Sequence, residues 1–143
     1  LQVTDNDGNV SDVATVSFVI STSAPTLNVT SPTEGLLTNS NKVTVAGTAA
    51  AGSDAVTLSS VKINGETVSV GSGGAFSKEI TLSEGAKTIT GVAEDSIGKT
   101  TTVTRHVTVD TQAPIISDVE AEATTVDANG TIHLTFKVTD PAD

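Results

Sequence analysis

Apolar side chains recur at every second position through most of this chain, with Thr, Ser, Lys and His between them. Val16, Phe18 and Ile20 share one parity, as do Val43 and Val45, Val61 and Ile63, and Val68 and Val70. Phe76, Ile80 and Leu82 form a further set, and Val103, Val107 and Val109 another. Ile132, Leu134, Phe136 and Val138 make the cleanest run. No stretch holds a 3.6-residue period. Alternation puts one set of side chains against a core and the other in water, so each run predicts a β-strand. Turn chemistry separates the runs. Asn64-Gly65, between Ile63 and Val68, is a short-hairpin signal. Gly71-Ser72-Gly73-Gly74, Ser83-Glu84-Gly85, Asp95…Gly98 and Asp127-Ala128-Asn129-Gly130 mark other turns. Short strands with turns every ~8–12 residues predict an all-β sandwich, with no helix longer than about two turns.

The predicted strands of the middle of the chain are 26–30, 42–49, a pair flanking Asn64-Gly65, 76–82, 87–93 and 100–109. Arg105 and Lys78 fall on nominally inward positions, so a bulge, an edge or a snorkelling side chain is expected at each.

Two junctions match. Thr22-Ser23-Ala24-Pro25 and Thr111-Gln112-Ala113-Pro114 lie 89 residues apart (114 − 25), and the turns Asp5-Asn6-Asp7-Gly8 and Asp95-Ser96-Ile97-Gly98 lie 90 apart (98 − 8). A period of that length is a whole sandwich domain. The chain is therefore expected to divide at 1–22, 23–112 and 113–143. Residues 1–22 would be the last hairpin of one module, 23–112 a complete module, and 113–143 the first two strands of a third. Neither end piece can bury its apolar face alone, since a lone hairpin is marginal in water. Either a longer chain or a neighbouring copy, paired head to tail, is expected to cover them.

Val43-Thr44-Val45-Ala46-Gly47-Thr48-Ala49, Glu84-Gly85-Ala86-Lys87-Thr88-Ile89-Thr90 and the Val107…Pro114 junction resemble bacterial immunoglobulin-like repeats. The resemblance covers nearly the whole chain. It implies an immunoglobulin-like β-sandwich cut from a tandem array. Such repeats occur in surface adhesins and surface layers, and as accessory modules of secreted glycosidases and proteases. One sandwich hosts many roles, so the resemblance bears on architecture more than on function.

Composition narrows the options. Seventeen acids against 7 bases give a net charge of −10, which disfavours nucleic acid and anionic membrane surfaces. It suits a self-repelling extracellular chain and leaves carboxylates for divalent cations. The absence of Cys excludes disulfides and thiolate metal sites. No apolar run approaches the ~20 residues of a membrane span.

Catalytic chemistry finds little support. His106 and His133 sit out of phase with the apolar positions of their strands, as surface histidines do. No nucleophile elbow or zinc-protease motif is present. Gly71–Gly74 reads as a hairpin loop and not a phosphate cradle. Stacking on sugars needs exposed Trp or Tyr, and neither occurs; Phe18, Phe76 and Phe136 all fall on inward parity. Calcium is the one cofactor for which the residues speak. Asp5 and Asp7 open an EF-hand-like run, but the Glu expected at its twelfth position is Val16. Asp110, Asp140 and Asp143 are expected to converge at the second junction, where hard oxygen ligands would stiffen the joint. Asn9, Asn28 and Asn129 lie in Asn-x-Ser/Thr sequons.

The leading expectation is a non-catalytic, extracellular structural repeat: a stiff spacer in a cell-surface adhesin, surface layer or filament. Its partners would be neighbouring immunoglobulin-like modules, copies of itself and an unidentified surface ligand. The alternative is an accessory module of a secreted hydrolase, and a third reading is a glycan-binding module.

Overall fold

In the computed structural model, which describes residues 1–141, the parity sets of the middle of the chain face one another across two sheets. Eight strands build them: β1 (Thr26–Ser31), β2 (Leu36–Thr38), β3 (Lys42–Ala50), β4 (Leu58–Ile63), β5 (Glu66–Val68), β6 (Ala75–Thr81), β7 (Gly85–Asp95) and β8 (Thr100–Val109). The smaller sheet runs β1-β3-β6 and the larger β2-β8-β7-β4-β5. A 3₁₀ turn at Ser72–Gly74 is the one helical element among the described residues.

Sequence parity decides which side chains enter the core. Leu27, Val29, Val43, Val45, Ala49 and Phe76 come from the smaller sheet, and Val61, Ile63, Ile89, Ala93, Val107 and Val109 from the larger. Gly47 sits opposite Phe76 in the β3–β6 ladder. A Cβ there would lie 2.0 Å from the Asn28 carbonyl oxygen and 2.9 Å from the Phe76 ring, so only glycine fits. Asn64-Gly65 closes the β4–β5 hairpin with both residues at positive φ, 49° and 84°.

The two misplaced cations close the sandwich edges. Arg105, on β8, donates through Nη2 to the Val29 carbonyl of β1 at 2.7 Å. Lys78, on β6, pairs with Glu66 of β5. Each side chain is half-buried and reaches from one sheet to the other, with its charge at the rim. The β2 strand was not legible in the pattern. After β1 the chain crosses to the larger sheet, where Leu36–Thr38 runs parallel to Val107–Val109.

The end pieces are not complete sheets. Residues 1–14 form the tip of a hairpin: Thr4 bridges Val10, and the Leu1 carbonyl accepts from the Ala14 N–H at 2.9 Å. Residues 11–25 hold no strand, contrary to the expectation for Val16, Phe18 and Ile20, and these three side chains are exposed. The alternation there is real, but no neighbouring strand is present to pair with it. At the other end β9 (Ile115–Ala121) and β10 (Leu134–Thr139) form an antiparallel pair with both faces exposed. Phe18 and Phe136 therefore stand in solvent despite their inward parity, while Phe76 is buried.

The Asp5 and Asp95 turns share the hydrogen bonds made to Oδ1. Asp5 Oδ1 accepts from the N–H groups of Asp7 and Asn9 at 3.0 and 2.8 Å. Asp95 Oδ1 accepts from Ile97 and Lys99 at 3.0 and 2.9 Å. Gly8 and Gly98 both adopt positive φ, 85° and 82°.

Candidate functional site

A cleft of about 590 Å³ lies where the sandwich meets the second junction. The parallel β2–β8 pairing places Leu37 and Thr38 beside Thr108 and Val109 on one wall. Glu84 and Gly85, at the start of β7, supply another, and Asp110, Gln112 and Pro141 close it. The linker is tied down residue by residue. The Asp110 N–H donates to the Thr38 carbonyl at 2.9 Å. The Glu84 carboxylate accepts from the Thr111 hydroxyl at 2.7 Å and from the Thr111 N–H at 3.1 Å. Asp110 Oδ1 accepts from the Gln112 N–H at 3.1 Å. These carboxylates act as anchors for the linker backbone. No aromatic side chain lines the cleft.

The sequence-predicted cation ligands are distributed as follows. Asp110 lines this cleft, Asp140 directly follows the end of β10, and Asp143 lies outside the described residues. Among the described residues no three His, Cys, Asp or Glu side chains are grouped to hold a metal. Asp5 is committed to its own turn. Its Oδ2 accepts from the Asn9 amide at 2.9 Å, and these contacts hold its pKa below the usual carboxylate range. Asp7 contributes its N–H to that turn.

At the first junction the counterpart of Asp110 is Ser21, whose hydroxyl meets Ser53 at 3.1 Å. The Ser23 and Ala24 carbonyls lie so close to Gly52 that a Cβ there would sit 2.7 and 2.3 Å from them. Both linkers thus lie against the sandwich.

Both histidines are exposed, as their phase requires. His106 has a partner that the pattern did not reveal. Its Nδ1 lies 2.6 Å from Glu34 Oε1, and its N–H donates to Glu34 Oε2 at 3.1 Å. The paired imidazole holds the Glu34 pKa below its ordinary value. Glu34 belongs to the β1–β2 crossover, and only that crossover brings it to β8. Gly71–Gly74 forms a hairpin loop, with the Gly71 N–H donating to the Ala75 carbonyl at 2.8 Å. Asn9, Asn28 and Asn129 are all exposed.

Residues 25–111, more than half of the chain, match the family model "Glucodextranase, domain B", and the chain belongs to that family. It is a non-catalytic, immunoglobulin-like β-sandwich module. Comparison with the curated protein sequences returned no match. Among solved structures, one of the Clostridium thermocellum CbhA fibronectin(III)-like modules is similar at 19% identity and a TM-score of 0.48. That match covers 76% of this chain, and the chain spans 58% of the length of that structure. Among the described residues no helix is long and apolar enough to cross a membrane.

Proposed function

We propose that this chain is an accessory module of a secreted glycosidase, a stiff sandwich that positions a catalytic domain encoded elsewhere in the same polypeptide. The match of residues 25–111 to a domain of glucodextranase carries this reading. The clamped linkers support it. A joint fixed by Glu84–Thr111 and Asp110–Thr38, followed by Pro114, transmits orientation where a Gly/Ser linker would not. The acidic surface fits a soluble extracellular protein.

The test is deletion of residues 25–111 from the polypeptide that carries them, followed by assays of α-glucan hydrolysis and thermal inactivation. Hydrolysis should persist at reduced efficiency on polymeric substrate. A parent polypeptide that hydrolyses no glycan would remove the reading.

A tandem spacer in a cell-surface array is the second reading, and the matching Asp5 and Asp95 turns favour it. Many modules of this kind beside the chain, with no catalytic domain, would select it.

A further inference from the structure

Away from its irregularity, the β9–β10 pair reproduces the register of the β1–β3 pair. Thr26↔Ala50 is matched by Ile115↔Thr139, so both members advance by 89 (115 − 26, 139 − 50). Leu27↔Ala49 is matched by Ile116↔Val138 in the same way. The irregularity is also shared. Ser31↔Ala46 lies beyond it in one pair and Glu120↔Thr135 in the other, again 89 on (120 − 31, 135 − 46). The core face of β1–β3, made by Leu27, Val43, Val45, Gly47 and Ala49, therefore transposes onto Ile116, Ile132, Leu134, Phe136 and Val138. In the sandwich that face is covered by Val61, Ile63, Ile89, Val107 and Val109 of the larger sheet. In β9–β10 it is exposed, with Leu134 at 60% and Phe136 at 59%.

Two core positions change chemistry between the copies. Phe136 stands where Gly47 stands, so the ring that β6 supplies through Phe76 comes from the β3-type strand instead. Two rings at that crossing would overfill a space that Gly47 and Phe76 already fill. Asp118 stands where Val29 stands. The Val29 side chain is 4% exposed, in the core, whereas Asp118 takes a positive φ of 52° and carries a carboxylate.

We propose that the β9–β10 face is completed by the larger sheet of a further module of this kind, joined in tandem after it. The occupant carries a small residue where this module carries Phe76. The proposal rests on the repeated register and not on the glycosidase reading, so either can fail alone.

The test extends the full chain after Asp143 with a second copy of residues 55–112, the register-matched remainder of a module. One version keeps the copied Phe76 and the other carries Phe76→Ala in the copy only. In both, the amides of β10 should exchange more slowly than in the unextended chain, on the order of a thousand-fold in the better-folded version, as core strands do. The Phe76→Ala copy should melt at the higher temperature, with a second cooperative transition. Leu134→Asp in the extended chain should abolish protection of β10 and leave β3 protected. Failure of both versions to protect β10, by misfolding or otherwise, overturns the proposal. A higher melting temperature with the copied Phe retained overturns the exchange of rings. The unextended chain should sediment as a monomer; a dimer that protects Leu134 and Phe136 would assign the face to a second copy and overturn the tandem occupant.

Discussion

Phe18, Phe76 and Phe136 are the only aromatic residues of the chain, and all three share the inward parity of their runs. Truncating each to alanine is one chemical perturbation placed in three environments. Phe76 is 4% exposed, at the centre of the core cluster between Gly47 and the larger sheet. A phenylalanine buries about 150–250 Å², which at ~25 cal/mol per Å² corresponds to roughly 4–6 kcal/mol. Measured truncations of buried Phe cost about 3–5 kcal/mol, and that range is expected for Phe76→Ala. It is a large share of the roughly 5–15 kcal/mol that holds a domain together. At ~4–8 °C per kcal/mol for a domain of this size, Tm should fall by roughly 12–40 °C. Phe18→Ala and Phe136→Ala remove rings that are 78% and 59% exposed, so each should stay within about 0.5 kcal/mol. The chain lacks Trp and Tyr, so far-UV circular dichroism in urea and heat is the suitable assay. If Phe136→Ala costs as much as Phe76→Ala in the unextended chain, or if Phe76→Ala costs under 0.5 kcal/mol, the burial argument fails.

Gly47→Ala should cost at least as much as Phe76→Ala, because its Cβ would strike the Asn28 backbone and not only a side chain that can move; denaturant midpoints compare the two directly. Lys99→Asn should stabilise the sandwich by about 1 kcal/mol. Asp95 Oδ2 is buried without a partner, whereas the matching oxygen of Asp5 accepts from Asn9, the residue at the Lys99 position; an unchanged or lower Tm would refute this. Glu34 and Glu66 have folded pKa values lowered by His106 and Lys78 respectively. Their contribution is complete above the ordinary Glu range and is lost as pH falls through the lower folded values, so Glu34→Gln should flatten the acid limb of a Tm-against-pH curve. His133→Ala should leave stability within about 0.5 kcal/mol, and a larger loss in urea denaturation would contradict its solvent-facing phase.

Period two along the chain is a local property, and it was sufficient to place β1, β3, β4, β6, β7 and β8 and, for β3, β4, β6 and β8, to say which side chains face inward. The Asn64-Gly65 hairpin was equally legible, because positive φ at both central residues is a demand that few residues meet. Parity states which face a residue takes, and it cannot state whether anything covers that face. Phe76 and Phe136 are equivalent in pattern, yet one is buried by the larger sheet and the other faces water. The same limit hid β2, whose three residues pair with β8 only because the chain crosses between sheets after β1. That crossover also brings Glu34 to His106 across 72 residues, and packing across the sandwich brings Arg105 to Val29 across 76. Contacts of such long range leave no trace in local periodicity. The strands of the sandwich and several of their inward faces were written in the chain, while the partners of the charged residues were decided by which sheets the chain assembles.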